Sequence, residues 1–249
     1  MDVTFHTMPD GTRIAYRFAP AQDDRSGPAL VFLPGYMSDM DGGKASAVFA
    51  WARDRGRACL LLDYSGCGRW SGDFADGTLS RWRDQVLVVA DACGIDRMVL
   101  VGSSMGSWLM LLVALAAPAR VAGLVGIAAA PDFTGWGYDA AQKAKLAAGE
   151  TVFEANAYGP EPTPTHPGFW ADGERQTLLK GERSIPLDCP VRLLHGQRDA
   201  EVPWRLSLEL AAALRSDAIQ VRLVKDGDHR LSRDDDIALL LGTLADLPF

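Results

Sequence analysis

"LVGSSMGSW", residues 100–108, sets two serines side by side between two glycines at the end of an apolar run. The spacing G-x-S-x-G fits this stretch in one register only, with Gly102, Ser104 and Gly106 in the fixed places. A serine held on a sharp turn from strand to helix needs small neighbours, because side chains there would collide with the adjoining strand and helix. The pentapeptide alone says little, since glycine and serine are common, and a glycine-rich turn with idle serines is the competing reading. Its flanks decide the matter: "MVLV" (98–101) reads as a buried strand and "SWLMLLVALAA" (107–117) as a helix. Ser104 is thus the candidate nucleophile at a strand-to-helix turn, and Ser103 is expected to be a small filler whose hydroxyl supports that turn.

The same alternation extends outward. Around "MPDGT" (8–12) the first twenty residues alternate apolar and polar, which predicts an antiparallel hairpin. Short continuous apolar runs then recur at 29–33, 58–64, 98–102, 121–128, 191–195 and 219–224, separated for the most part by helical patterns. Continuous runs predict strands covered on both faces, and Gly56 and Gly94 stand where helices should stop. The expected architecture is α/β, with an eight-stranded, mostly parallel sheet flanked by helices. One connection breaks the rhythm. Residues 132–187 carry the proline cluster "GPEPTPTHPG" and seven aromatics, among them Trp136, Tyr138, Phe169 and Trp170, but no convincing strand. A connection that long inside a compact domain suggests a cap inserted between the sixth and seventh strands, with the core at 1–131 and 188–249.

The totals narrow the function classes. A chain of 249 residues suits one large domain. Its net charge of -7 argues against polyphosphate or anionic-lipid partners, so nucleic acid is not expected. The stretch 108–130 is cut by Pro118 and Arg120 into pieces too short to cross a bilayer, and no membrane span is expected. Cys59, Cys67, Cys93 and Cys189 lack metal-site or dithiol spacing and suit a reducing compartment. "MDVTFHTMPDGTRIAYRF" shows neither a secretory nor a transit pattern, which leads to the expectation of a cytoplasmic protein.

A serine nucleophile needs a base, and the base an orienting acid. Of the four histidines, His6 lies in the opening hairpin and His166 in the proline-rich loop. His195 closes the strand "VRLLHG", where a buried structural histidine is the commoner outcome. His229, in "VKDGDHRLS" just after the last strand, is the candidate base, because loops at the carboxyl ends of parallel strands share one crevice. Asp199 in "LLHGQRDAEVP" is the candidate acid; Asp132, after the sixth strand, competes, and Asp228 is expected to point elsewhere. The chain order is then Ser, Asp, His.

Several strings, "FLPGYMSDM", "LDYSGCG", "VGSSMGSWLMLL", "CPVRLLHGQRDAEVPW" and "DHRLS", resemble those of the α/β-hydrolases, and within them the group of the mitochondrial palmitoyl-protein thioesterase and acyl-glucuronide esterase with its bacterial relatives. The resemblance spans about residues 31–232 outside the cap. It implies an oxyanion hole made by the backbone N–H groups of Tyr36 and Met105, leaving their side chains free to line the pocket. It also implies a serine hydrolase of carboxylic esters or thioesters that needs neither metal nor organic cofactor. The expected partner is a small ester or acyl thioester, or an acylated protein. The same three residues could instead serve carbon–carbon or amide hydrolysis, and a ligand-binding relative without catalysis is a further alternative. A long apolar tunnel under the cap would favour fatty acyl groups; a wide polar mouth would favour glycoside-like leaving groups. "GCGRWSG" (66–72) lacks the remaining features of a phosphate loop and is expected to be a tight surface turn presenting an accessible Cys67 thiol.

Overall fold

The computed structural model describes residues 2–23, 27–69, 72–156, 159–181 and 184–248. β1 (Thr4–Thr7) and β2 (Arg13–Ala19) form the expected hairpin, closed by the Pro-Asp-Gly turn. Then follow β3 (Ala29–Leu33), α1 (Gly43–Asp54), β4 (Cys59–Leu62), α2 (Leu79–Ala92), β5 (Met98–Ser103), α3 (Met105–Ala116) and β6 (Val121–Ile127). After the insertion come β9 (Val191–Gly196), α7 (Arg205–Ala213), β10 (Ile219–Val224) and α8 (Asp234–Ala245). Among the described residues the main sheet has eight strands in the order β1-β2-β4-β3-β5-β6-β9-β10. Every pairing from β4 to β10 is parallel, while β2 meets both its neighbours antiparallel.

Alternate side chains of β3 sort to opposite faces, as the two-residue period of a strand requires. Val31 and Leu33 join one apolar core with Trp82 of α2 and Trp108 of α3. Leu30 and Phe32 join another with Val48 and Trp51 of α1 and Leu240 and Leu244 of α8. Helix α3 is buried along nearly all its length, so its run of leucine and methionine needs no polar face. Strand β10 departs from the expectation of two-sided burial. It is the sheet edge, with Gln220 and Leu223 exposed, because no further strand pairs with it.

The insertion holds α4 (Phe133–Trp136), α5 (Ala140–Ala147), β7 (Val152–Glu154), β8 (Thr163–Thr165) and α6 (Pro167–Arg175). Asp139 and Gln142 close a capping box at the start of α5, and Pro167 opens α6. The strand pair corrects the reading of this segment as strandless. Each strand has three residues and Pro164 sits in the middle of one, so local sequence carried almost no strand signal. The turn after β4 needs a second correction. Cys67 is buried rather than accessible, and burial pushes its thiol pKa up to about 12. The turn folds over Asp63, whose buried carboxylate accepts the N–H groups of Met40 (2.7 Å) and Arg69 (3.0 Å), and this draws Cys67 inward. Trp70 and Ser71 of that turn lie outside the described residues.

Candidate active site

Strand order reverses between β3 and β5, since the chain runs from β3 to β4 on one side and returns to β5 on the other. In parallel sheets the crevice for ligands opens at the carboxyl ends of such a pair. The loop after β3 brings Tyr36 to one side of this crevice and the turn after β5 brings Ser104 to the other. Ser104 has φ +54°, a left-handed conformation costly for a residue with a side chain, and its N–H donates to Ile127 O at 2.8 Å. The flanking glycines are required by contact. A Cβ on Gly106 would lie 2.1 Å from Leu33 O, and one on Gly102 would lie 2.5 Å from Gly106 O. Among the described residues the Ser103 hydroxyl has no hydrogen bond that would brace the turn. That hydroxyl contact comes from Ser107, whose Oγ donates to Gly102 O at 2.7 Å.

His229 lies between Ser104 and Asp199. Its Nε2 is 3.1 Å from Ser104 Oγ and its Nδ1 is 2.9 Å from Asp199 Oδ2. A carboxylate neighbour requires the proton on Nδ1, which leaves Nε2 as the acceptor facing the serine. Main-chain bonds tie the two loops together, from Gln197 N to Val224 O (2.8 Å) and from Arg198 N to Gly227 O (2.9 Å). Asp228 turns away to accept Leu231 N at 3.0 Å. Asp132 is absent from this line as well, because its carboxylate accepts the N–H groups of Leu178 and Leu179, both at 2.7 Å.

The Asp199 side chain is wholly buried and saturated with donors. Oδ1 accepts from Glu201 N (2.9 Å) and Val202 N (2.8 Å), while Oδ2 faces both His229 and Nε2 of His195 (3.1 Å). Burial opposes ionisation, but the hydrogen bonds from His195 and His229 outweigh it and hold the carboxyl well below the usual range. His195 is buried as expected, yet its contact with Asp199 was not foreseen. The four-residue spacing in "HGQRD" was the available signal. Glu201 Oε2 also approaches, 3.8 Å from His229 Nε2.

A cavity of about 720 Å³ opens over Ser104. Tyr36, Phe133, Trp136 and Tyr138 form an aromatic wall; Asp39, Lys44, Glu201 and Arg230 form a polar one. It is therefore neither an apolar tunnel nor a uniformly polar mouth. Tyr36 lines the cavity but is not free, since its hydroxyl donates to Pro164 O at 3.0 Å in the insertion. Met105 lines it with a buried side chain. Among the described residues, neither the Tyr36 nor the Met105 backbone N–H has a main-chain or side-chain acceptor. Burial pushes the Lys44 amine down to about 8, and its Nζ donates to Arg230 O beside the His229 loop.

A family profile described as the alpha/beta hydrolase fold matches residues 28–156. The chain is also 41% identical, over 225 residues, to the mitochondrial palmitoyl-protein thioesterase ABHD10 of Mus musculus, covering 88% of this chain and 75% of that one. This chain belongs to the α/β-hydrolase family. Two solved structures show how far the likeness to other α/β-hydrolases extends. The alpha/beta hydrolase domain-containing protein 10 from mouse superposes with a TM-score of 0.88 at 34% identity, covering 99% of this chain and 98% of that one. A protein from Agrobacterium vitis S4 assigned as a hydrolase gives a TM-score of 0.89 at 36% identity, with 98% of each chain covered.

As a member of this family the chain is a hydrolase. Among the described residues no group of three or more His, Cys, Asp or Glu could hold a metal ion. No helix among them is long and apolar enough to cross a membrane. The matched thioesterase is named mitochondrial, so the expectation of a cytoplasmic location gains no support from it.

Proposed function

We propose that this α/β-hydrolase cleaves carboxylic esters or thioesters through an acyl-serine intermediate on Ser104. The observation that carries the reading is the continuous line from Asp199 Oδ2 through His229 to Ser104 Oγ, at 2.9 and 3.1 Å. As Oγ attacks the acyl carbon, its proton passes to His229 Nε2. The carbonyl oxygen, now negative, rests against the N–H groups of Tyr36 and Met105 at the start of α3. The imidazolium hands its proton to the departing sulfur or oxygen as that bond breaks. A water then gives a proton to His229, attacks the acyl carbon, and releases the free acid while Oγ recovers its proton. Asp199, held ionised, orients the ring and stabilises its charged form. These steps use no metal or organic cofactor.

In this reading residues 132–187 act as a cap, and its aromatic wall takes an apolar acyl group. The polar wall faces the leaving group. Relatives named palmitoyl-protein thioesterase support an acyl thioester as substrate, borne on a small molecule or on an acylated protein. The four thiols are all free, which favours a reducing compartment, and the cytoplasm remains our assignment.

A fluorophosphonate should label the protein once, at Ser104, and Ser104→Ala should lose at least about a thousandfold in kcat while staying folded. Labelling at Ser103, or full activity in the variant, would discard the assignment. A panel of p-nitrophenyl esters, acyl-CoA, acyl-cysteine peptides and a vinylogous diketone separates the bond types. Preferential turnover of the diketone would move the reading to carbon–carbon hydrolysis.

A further inference from the structure

His195 sits at the carboxyl end of β9 with no solvent exposure, and both its ring nitrogens are engaged. Nε2 lies 3.1 Å from Asp199 Oδ2 and 3.2 Å from Val202 O, two groups that only accept, so Nε2 carries a proton. Nδ1 lies 2.7 Å from Ser207 Oγ on α7, which fixes the ring plane. Asp199 Oδ2 therefore receives N–H groups from two imidazoles, one buried and one facing Ser104. An oxygen already satisfied by one donor attracts the second less strongly, whatever the charge on the first ring. We propose that His195 is a positioning residue for the reaction, fixing Asp199 and, by sharing Oδ2, limiting how strongly that carboxylate raises the basicity of His229. A general base works best with its pKa close to the operating pH, so a buried carboxylate serving a single imidazole would hold the proton too firmly for transfer to a leaving group.

The inference rests on reading Ser104, Asp199 and His229 as the catalytic set. The other charged or titratable groups around the His229 ring are Glu201, with Arg230 and Asp228 on its own loop and Lys44 from α1. None is altered by a substitution at His195. Around His195 itself the polar groups are Asp199, Ser207 and the Val202 carbonyl, and its partner across β10 is the apolar Leu223.

The test is the pH profile of kcat/KM for His195→Leu and His195→Gln, each normalised to the fraction that a fluorophosphonate labels. In the Leu variant the acid limb should move up by about half a unit or more, because Oδ2 is left wholly to His229, and kcat should fall about tenfold. The Gln variant places an amide N–H toward Asp199 and should keep the wild-type acid limb. A residue that merely filled space would lower the labelled fraction and leave the limb in place; an unmoved limb in the Leu variant, or a Gln variant shifted as far, overturns the proposal. Should the Leu variant not fold, ring ¹⁵N shifts of the wild-type histidines decide. His195 Nε2 must respond as His229 titrates, and a flat His195 signal through that titration overturns the idea equally. Ser104→Ala separates the two layers. Undiminished activity there discards the catalytic set, whereas an inactive Ser104→Ala beside an unmoved limb discards only the role of His195.

Discussion

Two regions meet across one cavity and are built by different rules. The loops after β3, β5, β9 and β10 are short, and each hangs from a strand whose register the sheet fixes. Their functional atoms are placed by main-chain bonds such as Ser104 N to Ile127 O and Arg198 N to Gly227 O. Residues 132–187 lie outside the main sheet, and Ile185 near their end bridges to Leu214 through main-chain bonds. Side chains reaching across the molecule hold the rest, among them Tyr36 to Pro164, Ser80 to Asp172 and Trp108 to Gln176. On the proposed function, the chain keeps its chemistry on a rigid frame and its substrate contacts on the inserted segment.

The largest effect expected on the rigid side comes from Asp199→Asn. With the wrong partner at Nδ1, the His229 tautomer reverses and kcat should fall by about a thousandfold to ten-thousandfold. The variant should also be less stable at pH 7. The folded carboxyl is held below its unfolded value, so its stabilisation is present above about pH 4 and is lost as pH falls through the lower folded value. Thermal melts of the variant and the wild type should therefore differ most near neutrality and converge in acid. A gap that widens below pH 4 would contradict the reading of Asp199 as ionised.

The contrast also governs how much could be read from sequence. The run at 29–33 matches β3 residue for residue, because a continuous apolar strand bounded by turns carries a strong local signal. The run at 219–224 matches β10, whose Gln220 and Arg222 interrupt the apolar run as its place at the sheet edge allows. The glycine spacing around Ser104 was legible because backbone contacts from Leu33 and Pro34 leave no room for a Cβ on Gly106. Asp199 and Asp132 were harder to separate, since both follow a parallel strand. What distinguishes them is the pair of N–H groups from Leu178 and Leu179, and these arrive from almost fifty residues away. The pairing of β7 with β8 was hidden for another reason, since each strand has three residues and Pro164 interrupts the strand signal. The likeness to known relatives named the chemistry, but it did not expose His195 as the second partner of Asp199.

A smaller effect should follow from loosening the other side. Asp172 on α6 is buried and accepts from Ser80 N (2.8 Å), Ser80 Oγ (2.9 Å) and Arg175 (3.1 Å), pinning the insertion to α2. Asp172→Ala leaves those donors without their acceptor and should cost about 1–3 kcal/mol of stability, measured by denaturant unfolding. Fluorophosphonate labelling of Ser104 should persist, with KM rising more than kcat falls. An equal loss in both would mean that α6 supports the rigid frame and that the two regions are not separable.

The smallest change is expected from Trp136→Ala. The ring is 37% exposed on the cavity wall, and its Nε1 donates to Pro131 O at 2.8 Å. Losing an exposed ring should move the melting temperature little. The effect should appear in selectivity, because each methylene that meets an apolar wall contributes a modest share of binding. For a series of acyl thioesters, kcat/KM should fall progressively with chain length, by about threefold to tenfold for the longest, and hardly at all for acetyl. A loss equal at every length would place the fault at Pro131, whose carbonyl Trp136 holds, and so in the frame. A loss confined to long chains would show that the aromatic wall measures the acyl group while the strand-end loops break the bond.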